Sequence, residues 1–130
     1  MTGLIWFVQV VHYPLYDRIG LAEFQVYERD HCALTTLVVA PMMVAELLSG
    51  VMLLVSRPKA IGQTEVILGL VLLAVIWLST IFIADSLHGA LASSFQAGPY
   101  HALVAWNWLR TVAWSLRAAL VTYMCYRCMH

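Results

Sequence analysis

The sequence predicts an all-α protein, a four-helix up-and-down bundle that spans a membrane. Of its 130 residues, 62% are hydrophobic and 11% are charged, and the mean hydropathy is +0.82. A soluble domain usually carries about a quarter charged residues. The apolar residues also fall into four runs separated by turn residues, and each run suits one helix. The length allows one domain, residues 1–130.

The boundaries of the four runs are set by polar and turn-forming residues. The first run would span only about 20 Å, against a hydrocarbon core of about 30 Å. A polar segment at 21–31, expected to be helical, leads into the second run as a helical approach. The second run ends near Pro58 and Gly62. A loop at 96–100 precedes the fourth. The predicted spans are 3–16, 32–55, 65–88 and 101–126.

The charges indicate where the chain resides. Seven basic and seven acidic residues give a net charge of zero, which offers no sign of a nucleic-acid partner. The start of the chain lacks a basic region and a cleavage site, so we expect the first run to remain as a helix. Arg57, Lys59 and Arg127 share one side of the bundle, against Arg18 and Arg29. The positive-inside rule then predicts that both termini are cytoplasmic.

Each predicted helix carries one polar stripe when residues are placed at about 100° intervals. Polar side chains facing lipid are costly, so the stripes are expected to face one another inside the bundle. The stripes are Gln9, His12, Tyr13 and Tyr16; His31, Thr35, Met42, Glu46 and Ser49; Trp77, Thr80, Ala84 and His88; and Asn107, Arg110, Trp114 and Arg117.

An ion pair between Glu46 and Arg117 follows from their depth. Counted from the outer helix ends, Glu46 lies about 21 Å down its helix and Arg117 about 24 Å down its own. One interpretation is a purely structural pair that keeps the helices in register. In that case Arg110 has no carboxylate partner, and its side chain is available to a molecule bound above the pair.

Histidines are concentrated toward one face of the membrane. His12, His31 and His88 come from three different helices, and neutral imidazoles that converge there would bind iron or copper. The alternative is interfacial, hydrogen-bonding histidines without a cofactor; the sequence leaves both open, and haem as well. Cys32 is expected to be a small buried apolar residue, and Cys125 and Cys128 a reduced pair.

The order of these residues resembles the small four-span bacterial membrane proteins of the anthrone oxygenase-like family. The resemblance covers most of the chain and implies the bacterial inner membrane. It also implies oxidation of a polycyclic anthrone to a quinone by molecular oxygen, with Thr80, His88, Asn107 and Arg110 as functional positions. The residues that carry it are Tyr27, His31, Thr35, Pro41-Met42 and Glu46, then Ser79-Thr80 and Leu87-His88, then Asn107-Trp-Leu-Arg110-Thr, Trp114 and Arg117.

Two classes of function are consistent with these features. In the first, an oxidoreductase or oxygenase holds a flat phenolic or quinone-like molecule among Trp77, Met42 and Trp114. Arg110 and Asn107 would stabilise its anion, and His88 or His31 would take the proton. In the second, the chain is a non-enzymatic accessory subunit of a larger membrane complex, or a bundle that holds haem, a pigment or a quinone. The sequence leaves open whether the protein is an enzyme and whether it forms a homo-oligomer; transport is less favoured, since no inverted repeat is evident.

Overall fold

The structure is a computed structural model that describes residues 1–130, and its regular elements are all helical. This confirms the predicted all-α class. Four helical rods are present, and they correspond to the four predicted runs. The first rod comprises α1 (Thr2–Phe7), a π-helical turn (Val8–His12) and a 3-10 turn (Tyr13–Arg18); the second is α2 (Phe24–Val55); the third comprises α3 (Gln63–Ser79), a π-helical turn (Thr80–Ala84) and α4 (Asp85–Ser93); the fourth is α5 (Ala97–Met129).

The start of α2 lies within the helical approach predicted at 21–31. The helix begins at Phe24, two turns before the predicted span at 32–55. Phe24 and Glu28 are fully buried, so residues 24–31 have one face inside the bundle. Only one residue per turn is fully buried there, and Glu28 is acidic, so the segment lacks the apolar stripe that marks a core-facing helix.

The first rod lies antiparallel to α5 and is the shortest of the four. The hydroxyl of Thr2 donates to the carbonyl of Trp114 at 3.3 Å, and the Gln9 amide donates to the carbonyl of Val104 at 3.2 Å. Because the rod begins beside Trp114, the later turns of α5 extend beyond it and pack against α3. The bundle therefore has four rods at one end and three at the other.

Apolar side chains fill the interior in three clusters along the bundle axis. The cluster at the four-rod end is aromatic, and the cluster at the opposite end is small. Polar side chains occupy the levels between them. The clusters are Tyr13, Tyr16, Phe24, Ala84, Leu91, Tyr100 and Leu103; Ile5, Met43, Leu73, Ile76, Ala113 and Trp114; and Ile61, Val66 and Met124.

Two π-helical turns change the direction of side chains in the first and third rods. One covers Val8–His12 and the other Thr80–Ala84. A π turn accommodates one extra residue, so the side chains that follow it are rotated relative to a straight α-helix, and such turns are frequent at functional sites. Both turns border the cavity described below.

The exterior of the bundle is strongly apolar. Only 24 of the 130 residues are buried, and large side chains on α2 and the third rod are open to the surroundings, among them Leu37 at 72% and Phe82 at 70% exposure. Monomeric soluble proteins rarely expose large contiguous apolar patches. By length and composition, the helices Phe24–Val55 and Gln63–Ser93 could each cross a membrane, with mean hydropathies of 2.2 and 2.9.

Candidate functional site

A cavity of about 500 Å³ lies between the four rods near the aromatic end. Most of its wall is hydrophobic. Its polar residues come from all four rods, and several of them are the predicted site residues. The wall includes His12, Tyr13, His31, Cys32, Thr35, Trp77, Thr80, His88, Arg110 and Trp114.

A chain of hydrogen bonds runs along one side of this cavity. Arg110 Nη2 donates to the Tyr13 hydroxyl at 3.2 Å, which lies 2.9 Å from His88 Nε2. His88 Nδ1 lies 2.5 Å from Glu28 Oε1. If His88 carries its proton on Nδ1, every hydrogen bond of this series is donated in the direction from Arg110 toward Glu28. We call these four residues the relay.

Glu28 is the residue of the relay that the sequence analysis missed. Its side chain is fully buried, and its second oxygen, Oε2, has no hydrogen-bond partner. The sequence holds one signal for it, since Glu28 stands three residues before His31 and the two side chains therefore lie on neighbouring faces of one helix. The sequence analysis assigns 21–31 to a polar helical approach and gives Glu28 no role.

Asn107 and Thr80 fix the guanidinium of Arg110. Asn107 Oδ1 accepts from Arg110 Nε at 3.0 Å and from Nη2 at 2.5 Å. The amide of Asn107, which is 2% exposed, in turn donates to Gln9 Oε1 at 2.8 Å. The Thr80 hydroxyl lies 3.5 Å from Nη1. All these partners are neutral, so Arg110 presents a positive charge to a mostly apolar cavity.

The predicted metal ligands His12, His31 and His88 line the same cavity but are engaged differently. His12 Nε2 lies 2.9 Å from His31 Nδ1, and the Thr35 hydroxyl lies 3.2 Å from that same nitrogen. The rings of His31 and His88 are 5.4 Å apart between centroids, and His88 is bound to Glu28 and Tyr13. The three imidazoles therefore bond to other side chains rather than pointing at a common centre.

A different set of side chains has the spacing of a metal site. One ligand atom from each of Glu28, Cys32 and His88 lies within 4.8 Å of the other two. Glu28 and Cys32 are one turn apart on α2, and His88 projects from α4. This set shares only His88 with the predicted one.

Of the three residues predicted to contact a ligand, two line the cavity and one lies on the exterior. Trp77 and Trp114 line the cavity, whereas Met42 is 44% exposed on the outside of the bundle. The inward-facing position belongs to Met43, which is 5% exposed and part of the cavity wall. Adjacent residues on a helix are only about 100° apart, so a modest rotation of α2 relative to its neighbours decides which of the two methionines faces the cavity.

The predicted partners Glu46 and Arg117 are in contact beyond Trp114, away from the relay. Arg117 Nε lies 3.3 Å from Glu46 Oε2, and Nη1 donates to the carbonyl of Gly69 at 2.9 Å. A second cavity, of about 410 Å³, adjoins the pair. A Cβ atom on Gly69 would lie 3.1 Å from Arg117 Nη1, so the glycine provides the space that the guanidinium occupies.

No protein-family model, curated protein or solved structure matches the chain. The chemistry of the site therefore rests on its geometry. A hydrogen-bonded series that ends at a buried carboxylate can take up a proton, and a fixed guanidinium can stabilise an anion. Both lie beside a cavity that is mostly apolar.

Proposed function

We propose that the protein is an integral membrane oxidoreductase that binds a hydrophobic phenolic or anthrone-like molecule, removes a proton from it and lets the anion react with molecular oxygen. The observation that carries the proposal is the relay in the cavity wall, with a positively charged Arg110 that has only neutral partners. Apolar walls favour a hydrophobic ligand, and a guanidinium whose hydrogen-bond partners are all neutral favours one that becomes negative.

The membrane location is part of the proposal. Four spans in a bacterial inner membrane, with both termini in the cytoplasm, are supported by the apolar exterior of the bundle and by the two long hydrophobic helices. The balance of Arg57, Lys59 and Arg127 against Arg18 and Arg29 favours this orientation. In such a location the protein would take up a hydrophobic substrate directly from the lipid.

The ligand would lie flat among Trp77, Met43 and Trp114, with its oxygen directed at Arg110. A charge interaction in a low-dielectric cavity is much stronger than in water. Asn107 holds the guanidinium through two hydrogen bonds, so little reorganisation is needed when the anion forms. Arg110 would stabilise the anion more strongly than it stabilises the uncharged substrate, and this difference favours deprotonation of the substrate.

The relay supplies the base. Tyr13 passes its hydroxyl proton to His88 Nε2, and the Tyr13 oxygen takes the proton of the substrate. Arg110 stabilises the tyrosinate, and the Glu28 carboxylate stabilises the imidazolium. This uses His88 as the sequence analysis expected, with Tyr13 as an intermediary, whereas His31 contacts His12 and Thr35.

Oxidation of an anthrone then balances without a further reductant. The methylene carbon loses a proton to the relay, and the resulting carbanion adds molecular oxygen to form a peroxide anion. The peroxide takes up the proton and loses water, which leaves a ketone. In sum, one methylene group and one dioxygen give one carbonyl group and one water.

The test is oxidation of anthrone by the purified protein in detergent micelles, followed by oxygen uptake and the absorption of the quinone product. Replacing Tyr13 with phenylalanine should lower the rate about 100-fold or more, because the relay loses its link to the substrate. Tyr126→Phe, at an exposed position near the end of α5, serves as the matched control and should keep the rate.

Two results would contradict the proposal. One is a wild-type rate no higher than that of empty micelles, and the other is full activity in Tyr13→Phe. Tight binding of anthraquinone without any turnover would favour the alternative, a subunit that holds a quinone or pigment.

A further inference from the structure

The cluster of Glu28, Cys32 and His88 contains a side chain that the proposed function does not use. Cys32 lines the cavity, and its thiol donates toward Glu28 Oε1 at 3.9 Å. The same oxygen lies 2.5 Å from His88 Nδ1. A carboxylate, a thiol and an imidazole therefore meet at one point between α2 and α4.

The Glu28 carboxylate gives independent evidence that this point can accept a ligand. Its side chain is fully buried, and Oε2 has no hydrogen-bond partner. Buried polar atoms are nearly always bonded, because an unsatisfied one loses its hydration without compensation. Oε1 is the oxygen that faces the thiol and the imidazole, so a cation held by both carboxylate oxygens would satisfy Oε2 as well.

The spacing of the cluster suits a tetrahedral metal ion. Ligand atoms at bond lengths of about 2.0 to 2.3 Å stand roughly 3.3 to 3.8 Å apart. The three ligand atoms already lie within 4.8 Å of one another, so small side-chain rotations suffice. Sulfur and nitrogen ligands select zinc and its neighbours in the transition series over magnesium or calcium. The adjoining cavity leaves room for water as a fourth ligand.

We propose that Glu28, Cys32 and His88 form a binding site for a thiophilic divalent cation such as Zn²⁺. The thiol gives up its proton when the cation binds, so one cation enters and one proton leaves. His88 must offer Nδ1 to the metal, and its remaining proton then resides on Nε2. That nitrogen now donates to the Tyr13 oxygen and cannot receive the Tyr13 proton. Bound cation therefore blocks the relay, a consequence that rests on the proposed function.

Cobalt is the probe for the site, because a thiolate bound to Co²⁺ gives a charge-transfer band that a protein without such a bond lacks. The full chain carries Cys125→Ser and Cys128→Ser as background, which removes the exposed terminal thiols. We expect one Co²⁺ per chain with the charge-transfer band, and displacement of cobalt by Zn²⁺. Adding Cys32→Ser should remove the band and weaken binding at least about 100-fold, since losing a ligand costs more than losing an outer partner.

Absence of the band in the background protein would overturn the site, as would its persistence after Cys32→Ser. Neither readout requires turnover, so the metal site and the oxidation reaction fail or succeed separately. The block of the relay is measured as Zn²⁺-dependent loss of anthrone oxidation. That loss should occur in the background protein and disappear in Cys32→Ser; equal inhibition of both would refute the block.

Discussion

Replacing Glu28 with glutamine should lower the rate of anthrone oxidation by about 100-fold to 10,000-fold. Glutamine has nearly the same shape, but it carries no charge to stabilise the imidazolium of His88. Its amide can also donate to Nδ1, which would select the wrong tautomer. The measurement is kcat and KM from oxygen uptake, and we expect the loss in kcat because the carboxylate does not line the ligand.

The matched control is Asp30→Asn on the same helix. Asp30 is exposed, so removal of its charge should leave the rate within a factor of two or so, as expected for a distant surface site. A Glu28→Gln protein that turns over as fast as the wild type would show that the relay does not supply the base.

The second large effect concerns stability at the three-rod end. Replacing Arg117 with methionine should destabilise the fold by about 2 to 3 kcal/mol, since it leaves Glu46 and the carbonyl of Gly69 without their partner. A fully buried pair would cost about 3 to 5 kcal/mol, and the lower figure allows for a Glu46 side chain that is 32% exposed. Thermal unfolding in detergent measures the change.

A double-mutant cycle distinguishes the ion pair from simple loss of packing. Glu46→Leu combined with Arg117→Met should cost less than Arg117→Met alone, because no unpaired charge remains. Gly69→Ala should also lower the unfolding temperature, since its Cβ would crowd Arg117, whereas Gly89→Ala has open space and should not. Additive costs in the double mutant would contradict the pairing.

The fourth rod was the part of the site that the sequence predicted best. α5 is one uninterrupted helix of 33 residues, so regular angular spacing correctly groups Arg110, Trp114 and Asn107 on one face. Trp77, Thr80 and His88 on the third rod also line the cavity, although the π-helical turn at Thr80–Ala84 separates Trp77 from His88. Angular spacing is reliable along a regular helix over a few turns, and a π turn limits it.

The sequence does not reveal the relay as a unit, for two physical reasons. Glu28 stands beside the exposed Arg29 and Asp30, and its own burial depends on how the rods pack together. Hydrogen-bond partners also depend on side-chain torsions that helical periodicity does not specify. The hydrogen bond between His12 and His31 is an example, because the helical pattern assigns a residue to one face of its helix but does not give the direction of its ring nitrogens.

The most direct test of the central claim is the ionisation of a hydroxyanthraquinone dye bound to the protein. Its phenol and phenolate forms have different colours, so an absorption titration gives the apparent pKa of the bound dye. A guanidinium in contact should hold that pKa about 1 to 3 below its value in empty micelles. Arg110→Gln should restore the micelle value, and Arg29→Gln, at an exposed position, should not. A bound dye that ionises as it does in micelles, or whose pKa is unchanged by Arg110→Gln, would contradict a site built to stabilise an anion.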